Sequence, residues 1–261
     1  MRVSRTVWIL LGIGFSAGFL GGLLGIGGGS LVVPALVFFL AFNQHRAHGT
    51  SLAVVLGMSL ASVATYSSRG HVDWLLAVEI AAGGVIGAII GGQAAAAMRS
   101  RTLRRVFCIF LALVGLRMII GGLIAQNGAI HAVKHSTVPD GVARSLVVLG
   151  TGVLTGFFSS LLGIGGGTVM VPAAVLLLGV DQHTAQGVSL AAMMPTSLAG
   201  TIIHHRLGNV EFRVAKWVAA GAIIGGVGGA CLASCLNARI LQILFGGFLV
   251  VISALLAMKK S

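Results

Sequence analysis

Apolar residues run through this chain in long blocks, and polar residues are confined to the short stretches between them. In the first half the blocks cover residues 6–24, 29–42, 46–68, 73–98 and 102–125; in the second they cover 145–162, 167–179, 184–205, 211–236 and 239–258. A helix rises about 1.5 Å per residue, so roughly 20 apolar residues span the ~30 Å hydrocarbon core of a bilayer. Most of the blocks approach or exceed that length. The blocks at 29–42 and 167–179 fall short, and each follows directly on a run of glycines. The pattern predicts an all-α, polytopic helical membrane protein. In each half the second element is one arm of a helical hairpin broken at glycine.

The two halves repeat one another. Gly18-Phe-Leu-Gly-Gly-Leu-Leu-Gly-Ile-Gly-Gly-Gly-Ser-Leu-Val-Val-Pro-Ala35 returns as Gly156-Phe-Phe-Ser-Ser-Leu-Leu-Gly-Ile-Gly-Gly-Gly-Thr-Val-Met-Val-Pro-Ala173, an offset of 138 residues. The offset holds without a gap. It carries Gln44-His45 onto Gln182-His183, Gly70 onto Gly208, the glycines 83, 87 and 91 onto 221, 225 and 229, and Arg101 onto Arg239. The expected organisation is a first repeat over 1–125, a polar linker over 126–143 and a second repeat over 144–261. Arg2 and Arg5 before an apolar stretch imitate a signal peptide. The stretch at 7–24 has a counterpart at 146–162, so it reads as a retained element of the repeat.

Charge fixes the expected orientation. The chain carries 17 Lys+Arg against 5 Asp+Glu, a net charge of +12. In a soluble protein that balance suggests nucleic acid. Here the basic residues sit mostly in short loops and no aromatic-interleaved basic patch occurs, so their role is topology and nucleic acid is excluded as a partner. If the first two segments of each half form a hairpin that returns to its starting side, the halves are inverted. With the N-terminus inside, Arg2, Arg5, Arg46, Arg99, Arg101, Arg104, Arg105, Arg206, Arg213, Lys216, Lys259 and Lys260 all fall inside. Only Arg69, Lys134, Arg144 and Arg239 fall outside. The parallel alternative puts most of these charges outside, so the positive-inside rule selects two inverted repeats of about five segments each, with both termini cytoplasmic.

Composition agrees. The chain is 57% hydrophobic and 8% charged, with a mean hydropathy of +1.04, whereas a soluble domain is about a quarter charged. Cys108, Cys231 and Cys235 lie inside apolar runs and read as packing residues. No nucleophile–base set, metal cluster or paired carboxylates occur in the sequence, which argues against an enzyme and against a cofactor. A P-loop is excluded because no Lys follows the glycines.

The glycine run carries the candidate chemistry. Glycine lets the chain leave helical geometry and bares backbone amides. In lipid each bare amide costs several kcal/mol, so the break must be buried or must line a watery cavity. The half-helix that follows presents a partially positive N-terminus. Gly27, Gly28, Gly29 and Ser30, with Gly165, Gly166, Gly167 and Thr168, are therefore the expected anion-binding residues. Inversion brings both half-helix N-termini to the membrane midplane. Thr50, Ser51 and Ser189 open the third segments and are further candidates, as are Ser59 and Ser197 deeper in, unless they bond back to their own helix. Pro195 is expected to kink its segment. His45 and His183, at segment ends, and Glu79, the one carboxylate more than a turn inside a span, are candidates for ion coupling. Asp73 and Glu211 read as helix-start residues, His204-His205 as an interfacial pair, and Arg117 as a snorkelling cation. The glycines 83/87/91 and 221/225/229 read as packing contacts.

The duplicated G-x-x-G-h-G-G-G-x-h-h-h-P pattern, each copy followed by His-x-Ala-x-Gly-x-Ser-Leu, resembles the sulfite exporter TauE/SafE family of bacterial inner-membrane permeases. The resemblance covers nearly the whole chain. It implies secondary transport of a small sulfur-containing anion such as sulfite, sulfoacetate or another organosulfonate, and it admits proton coupling. An anion channel of the same architecture, or a permease for an unrelated organic anion, is the alternative. The second copy departs by Val188 in place of Thr50 and by Ser159-Ser160 in place of Gly21-Gly22, so the two halves of the site are not equivalent. The orientation is directly testable: a reporter fused after Lys260 is expected to be cytoplasmic, and an extracellular reporter would reverse the assignment.

Overall fold

The computed structural model describes residues 2–97, 100–124, 142–162 and 166–258. Gly163 to Gly165 and most of the polar linker lie outside the described residues. The described chain forms ten helices: α1 (Arg2–Leu24), α2 (Gly29–Leu40), α3 (Gln44–Ser68), α4 (Trp74–Ala97), α5 (Ser100–Ile124), α6 (Val142–Leu162), α7 (Gly167–Leu176), α8 (Gln182–Arg206), α9 (Phe212–Ala233) and α10 (Ala238–Met258). Helices α2, α3, α4 and α5 begin 138 residues before α7, α8, α9 and α10, so the duplication read from sequence is also a duplication of secondary structure.

Local sequence explains the boundaries. Asn43 and Asp181, equivalent by the offset, cap α3 and α8: the Arg46 amide donates to Asn43 at 2.9 Å, and the His183 and Thr184 amides donate to Asp181 at 3.1 Å. Asp73 accepts the Leu76 amide at 3.0 Å and caps α4, as expected of a helix-start carboxylate. Its counterpart Glu211 makes no side-chain cap and instead pairs with Arg46 at 2.8 Å. The half-helices α2 and α7 have 12 and 10 residues, too short to cross alone.

Six described helices are long and apolar enough to cross a membrane. Helix α8 is not among them, because polar residues interrupt its apolar character. Those residues turn inward: Gln182, Gln186, Ser189, Thr196, Ser197 and His204 are all buried. Helix α8 is thus polar toward protein rather than toward lipid. Ser59 and Ser197 bond back to their own helices, to the Leu56 carbonyl at 3.0 Å and the Met193 carbonyl at 2.5 Å.

Packing pairs follow the repeat. Helix α1 packs along α9 and α6 along α4; α3 packs on α9 and α8 on α4; α3 and α8 pack on each other, as do α5 and α10. Their directions can be read from residue pairings. In α1 and α9, Gly14 faces the Val218 carbonyl, Gly18 that of Ala222 and Gly22 that of Gly226, so these helices run parallel. In α3 and α8, Tyr66 meets Gln186 while Leu52 meets Gly200, so these run antiparallel. Gly122 against Ile243 and Gly115 against Leu249 make α5 and α10 antiparallel as well.

The spaced glycines behave as packing residues. A Cβ at Gly221, Gly225 or Gly229 would collide with the carbonyl of Leu11, Phe15 or Phe19, and one at Gly83, Gly87 or Gly91 with that of Leu149, Val153 or Phe157. The two parallel pairs therefore approach backbone to backbone, the arrangement that small residues permit where lipid supplies no hydrophobic drive between helices. Substituting Gly225→Leu or Gly87→Leu is expected to cost at least ~1–3 kcal/mol and to lower Tm strongly in detergent. Gly12 and Gly150 are equivalent by the offset and have open space around them. Gly12→Ala and Gly150→Ala should leave Tm unchanged or raised, by about 0.5–1 kcal/mol of helix propensity.

Candidate functional site

The first break is built from its carbonyl end. Helix α1 closes with the Ile26 amide donating to the Gly21 carbonyl at 3.0 Å and Gly25 in the left-handed region at φ 71°, the six-to-one bond of a glycine-terminated helix. Gly27 and Gly28 follow at φ 79° and 67°, a conformation only glycine adopts without strain. The last-turn carbonyls have lost their intrahelical donors. Tyr66, at the far end of α3, donates its hydroxyl to the Gly22 carbonyl at 3.0 Å, and Ser189 on α8 donates to the Gly25 carbonyl at 2.8 Å. The Tyr66 hydroxyl also lies 2.9 Å from the Gln186 amide group. With one proton on that hydroxyl, both contacts are made when Gln186 turns its nitrogen toward Tyr66.

The second break repeats this with different chemistry. His204, equivalent to Tyr66, places Nε2 3.1 Å from the carbonyl of Ser160, which is equivalent to Gly22. A carbonyl only accepts, so Nε2 carries the proton and the buried Nδ1 has no protein partner. The expected interfacial pair therefore divides. His204 is 0% exposed and caps a broken helix, whereas His205 is exposed and lies edge-on to Phe212.

The two breaks, 138 residues apart in sequence, meet in space. A Cβ at Gly167 would lie 2.5 Å from the Gly25 carbonyl oxygen and 2.6 Å from Ile26 Cα. Met193 joins them: its side chain would be struck by a Cβ at Gly167, and its Sδ lies 2.7 Å from a Cβ built at Gly27. Val55, equivalent to Met193, is the other side chain against Gly27, at 3.1 Å.

The amide ends stand beside this junction. Helices α2 and α7 start from Gly28 and Gly166, at φ 67° and 73°, and neither has a side-chain cap. The first amides of a helix have no intrahelical acceptor, so those of Gly29–Ser30 and Gly167–Thr168 face outward from the half-helices. Pro34 and Pro172 lack the amide hydrogen that would bind the Ser30 and Thr168 carbonyls. The Ser30 and Thr168 hydroxyls are buried and make no hydrogen bond to protein. Around Gly166 the wall adds Thr155 and Ser159, where the first repeat has Ala17 and Gly21. The hydroxyls of Thr155 and Ser160 are likewise buried without a protein partner. Hydroxyl donors are thus concentrated on the second repeat's side.

The sequence-derived candidates separate accordingly. Gly27, Gly28, Gly29, Ser30, Gly166, Gly167, Thr168 and Ser189 belong to the two breaks and the junction between them. Gly165 lies outside the described residues. Ser51 is buried on α3. Thr50 is committed elsewhere, its hydroxyl accepting the Glu211 amide at 3.0 Å and tying the α8–α9 turn to the start of α3. His45 is exposed. His183 stacks on His71 with ring centroids 5.0 Å apart, one turn before Gln186. His45 and His183 begin antiparallel helices and sit at opposite ends of the pair. Glu79 is half-buried on α4 and joins no ion pair among the described residues. Among the described residues no three His, Cys, Asp or Glu side chains gather as a metal site would require. Tyr66, Gln186, Met193 and Thr155 are the residues that sequence reasoning passed over. The one signal for Tyr66 was its polar counterpart His204 at the same repeat position.

Comparison with known proteins agrees with this architecture. The profile described as sulfite exporter TauE/SafE matches residues 1–118 and 148–261, which is most of the chain and leaves out the linker. The chain belongs to the sulfite exporter TauE/SafE family. A Xylella fastidiosa protein named "Probable membrane transporter protein" is 33% identical over 246 residues, covering 93% of this chain and 91% of its own. A Bacillus subtilis protein named "Probable membrane transporter protein YunE" is 29% identical over 86% of this chain and 87% of its own. A similarly named Methanocaldococcus jannaschii protein is 31% identical over 78% and 73%. No solved structure matches. With its family and its six long apolar helices, the chain is a multi-pass membrane transporter.

The carbonyl caps give a direct test. Tyr66→Phe leaves the buried Gly22 carbonyl without its hydroxyl donor, at a cost of about 1–3 kcal/mol. A lower Tm with helical content intact is the expected result, and an unchanged Tm would remove Tyr66 from the break.

Proposed function

We propose that this protein is a secondary transporter of a small, singly charged sulfur-containing anion, bound where the two glycine breaks meet. The observation that carries the reading is the junction itself: two uncapped half-helix N-termini, the partnerless Ser30 and Thr168 hydroxyls, and direct contact between Gly167 and the first break. Each half-helix N-terminus acts as about +0.5 of an elementary charge, so two together balance about one negative charge. Among the described residues that meet the breaks there is no Lys or Arg. Binding then rests on dipoles and hydrogen-bond donors, which hold a monoanion in low dielectric but leave a dianion half uncompensated. Hydrogen sulfite and a monoanionic sulfonate fit this rule, and sulfate does not. The family's description as sulfite exporters supports the choice of sulfur oxyanion.

The helix directions support inverted repeats. Repeat-equivalent helices α3 and α8 pack antiparallel, as do α5 and α10, which an axis in the membrane plane produces. Combined with the charge distribution, this supports cytoplasmic termini, and the family resemblance supports a bacterial inner-membrane location. Met193 lies between the breaks and acts as the movable packing element of the site, its unbranched thioether being the most adaptable of apolar side chains. His183, one turn before Gln186, and His45, at the start of α3, are the groups through which a proton would couple.

Substrate-dependent thermal stabilisation of the purified protein tests the reading, using sulfite, sulfate, thiosulfate, taurine and sulfoacetate. Sulfite at mildly acidic pH should stabilise and sulfate should not. A hydrogen bond to a charged group is worth about 1.5–3 kcal/mol, so Ser30→Ala and Thr168→Val should each weaken sulfite binding about tenfold or more. Unchanged affinity in both variants would remove the site from the breaks. Flux that responds to a pH gradient at zero membrane potential marks a coupled transporter; flux indifferent to it marks a channel.

A further inference from the structure

A second site lies away from the glycine breaks. Helices α3, α8 and α9 frame an open groove of about 640 Å³. Leu56, Leu198 and Ile202 line its length, and Leu198 and Ile202 are exposed on the outer surface of the bundle. His205, Arg206 and Lys216 stand at one end, where α8 turns into α9. From Arg206 to Leu198 the groove follows about 12 Å of helix, at 1.5 Å per residue. It is an apolar slot somewhat shorter than one leaflet, which is about 15 Å or half of the ~30 Å hydrocarbon core, with cations toward one end.

Among the described residues, Arg206 and Lys216 have no carboxylate partner. The one ion pair among the described residues, at 2.8 Å, joins Arg46 to Glu211 and uses the acidic group nearest this turn. Lys216 instead lies over the Trp217 ring at 5.3 Å. Moreover, the fold does not require these charges. The repeat offset places Ser67, Ser68 and Val78 of α3 and α4 at the positions of His205, Arg206 and Lys216. The equivalent positions of the first repeat carry two hydroxyls and an aliphatic group, with Arg69 one position further on.

We propose that this groove binds an anionic phospholipid, with an acyl chain along Leu56, Leu198 and Ile202 and the phosphate held by Arg206 and Lys216. Basic pockets between membrane helices recognise acidic headgroups in this way, and each nearby cation strengthens binding severalfold. Arginine supplies paired donors to phosphate oxygens and lysine a point charge. A lipid wedged between α3, α8 and α9 would also buttress the helices that carry Tyr66, Ser189 and Met193.

The test uses the full chain purified in uncharged detergent. Phosphatidylglycerol, phosphatidylcholine of the same chain length and inorganic phosphate are added separately, and bound lipid is counted by native mass spectrometry alongside Tm. Phosphatidylglycerol is expected to bind at least tenfold more tightly than phosphatidylcholine and to raise Tm, while phosphate has no effect. Arg206→Ser with Lys216→Val, the residues at the equivalent positions of the first repeat, should abolish that preference, and Arg206→Lys should keep most of it. If the double variant fails to fold, Ile202→Trp fills the groove with its cations untouched and should block lipid equally. Equal binding of the two lipids, a preference that survives either change, or a Tm shift from phosphate matching that from phosphatidylglycerol would overturn the proposal.

Discussion

Inside a membrane every backbone polar group needs a partner, and this structure is organised around the places where a helix gives up its own. Two breaks interrupt the apolar core, and each bares carbonyls on one side and amides on the other. The carbonyls are taken up by side chains from other helices. Tyr66 binds the Gly22 carbonyl, Ser189 that of Gly25 and His204 that of Ser160. The amides of α2 and α7 receive no side-chain cap. The protein thus spends its buried polar side chains on the electronegative ends of the breaks and leaves the electropositive ends available, which is the polarity an anion site needs.

That division explains the character of α3 and α8. They lie antiparallel on one another, and between them they supply the side chains that cap both breaks. Helix α8 consequently carries Gln186, Ser189 and His204 on a buried face and falls below the hydropathy of an ordinary span. The outer pairs α1–α9 and α4–α6 have no such task. They are held by backbone approach along Gly221, Gly225 and Gly229 and along Gly83, Gly87 and Gly91. Glycine therefore serves two separate purposes: positive φ at the breaks and absence of a side chain at the parallel pairs.

The copies have diverged where it matters for chemistry. One break is capped by a tyrosine and the other by a histidine, and Thr155, Ser159 and Ser160 stand where the first copy has Ala17, Gly21 and Gly22. Met193 against Val55 is a third difference, placed at the junction of the two breaks. A symmetric scaffold thus presents an asymmetric lining, and the same holds at the surface, where His205, Arg206 and Lys216 of the α8–α9 groove have Ser67, Ser68 and Val78 as their repeat equivalents.

The sequence alone determined the helical membrane class, the duplication, the helix boundaries to within about four residues and the two breaks, because these depend on local properties: apolar length, glycine's backbone freedom and a repeat with no gaps. It also made legible the packing role of the spaced glycines and the membership of Ser30, Thr168 and Ser189 in one region. It could not show that Thr50 serves a turn, that His204 is buried, or that Tyr66, Gln186 and Met193 converge on the breaks. A hydroxyl, an imidazole or a thioether in an apolar helix reads alike whether it faces a loop, a lipid or a bared carbonyl. Which of these it meets depends on how α3 and α8 cross, a relation between residues more than a hundred positions apart. Only the tertiary structure decides it, because the partner that satisfies each polar atom lies in the other half of the chain.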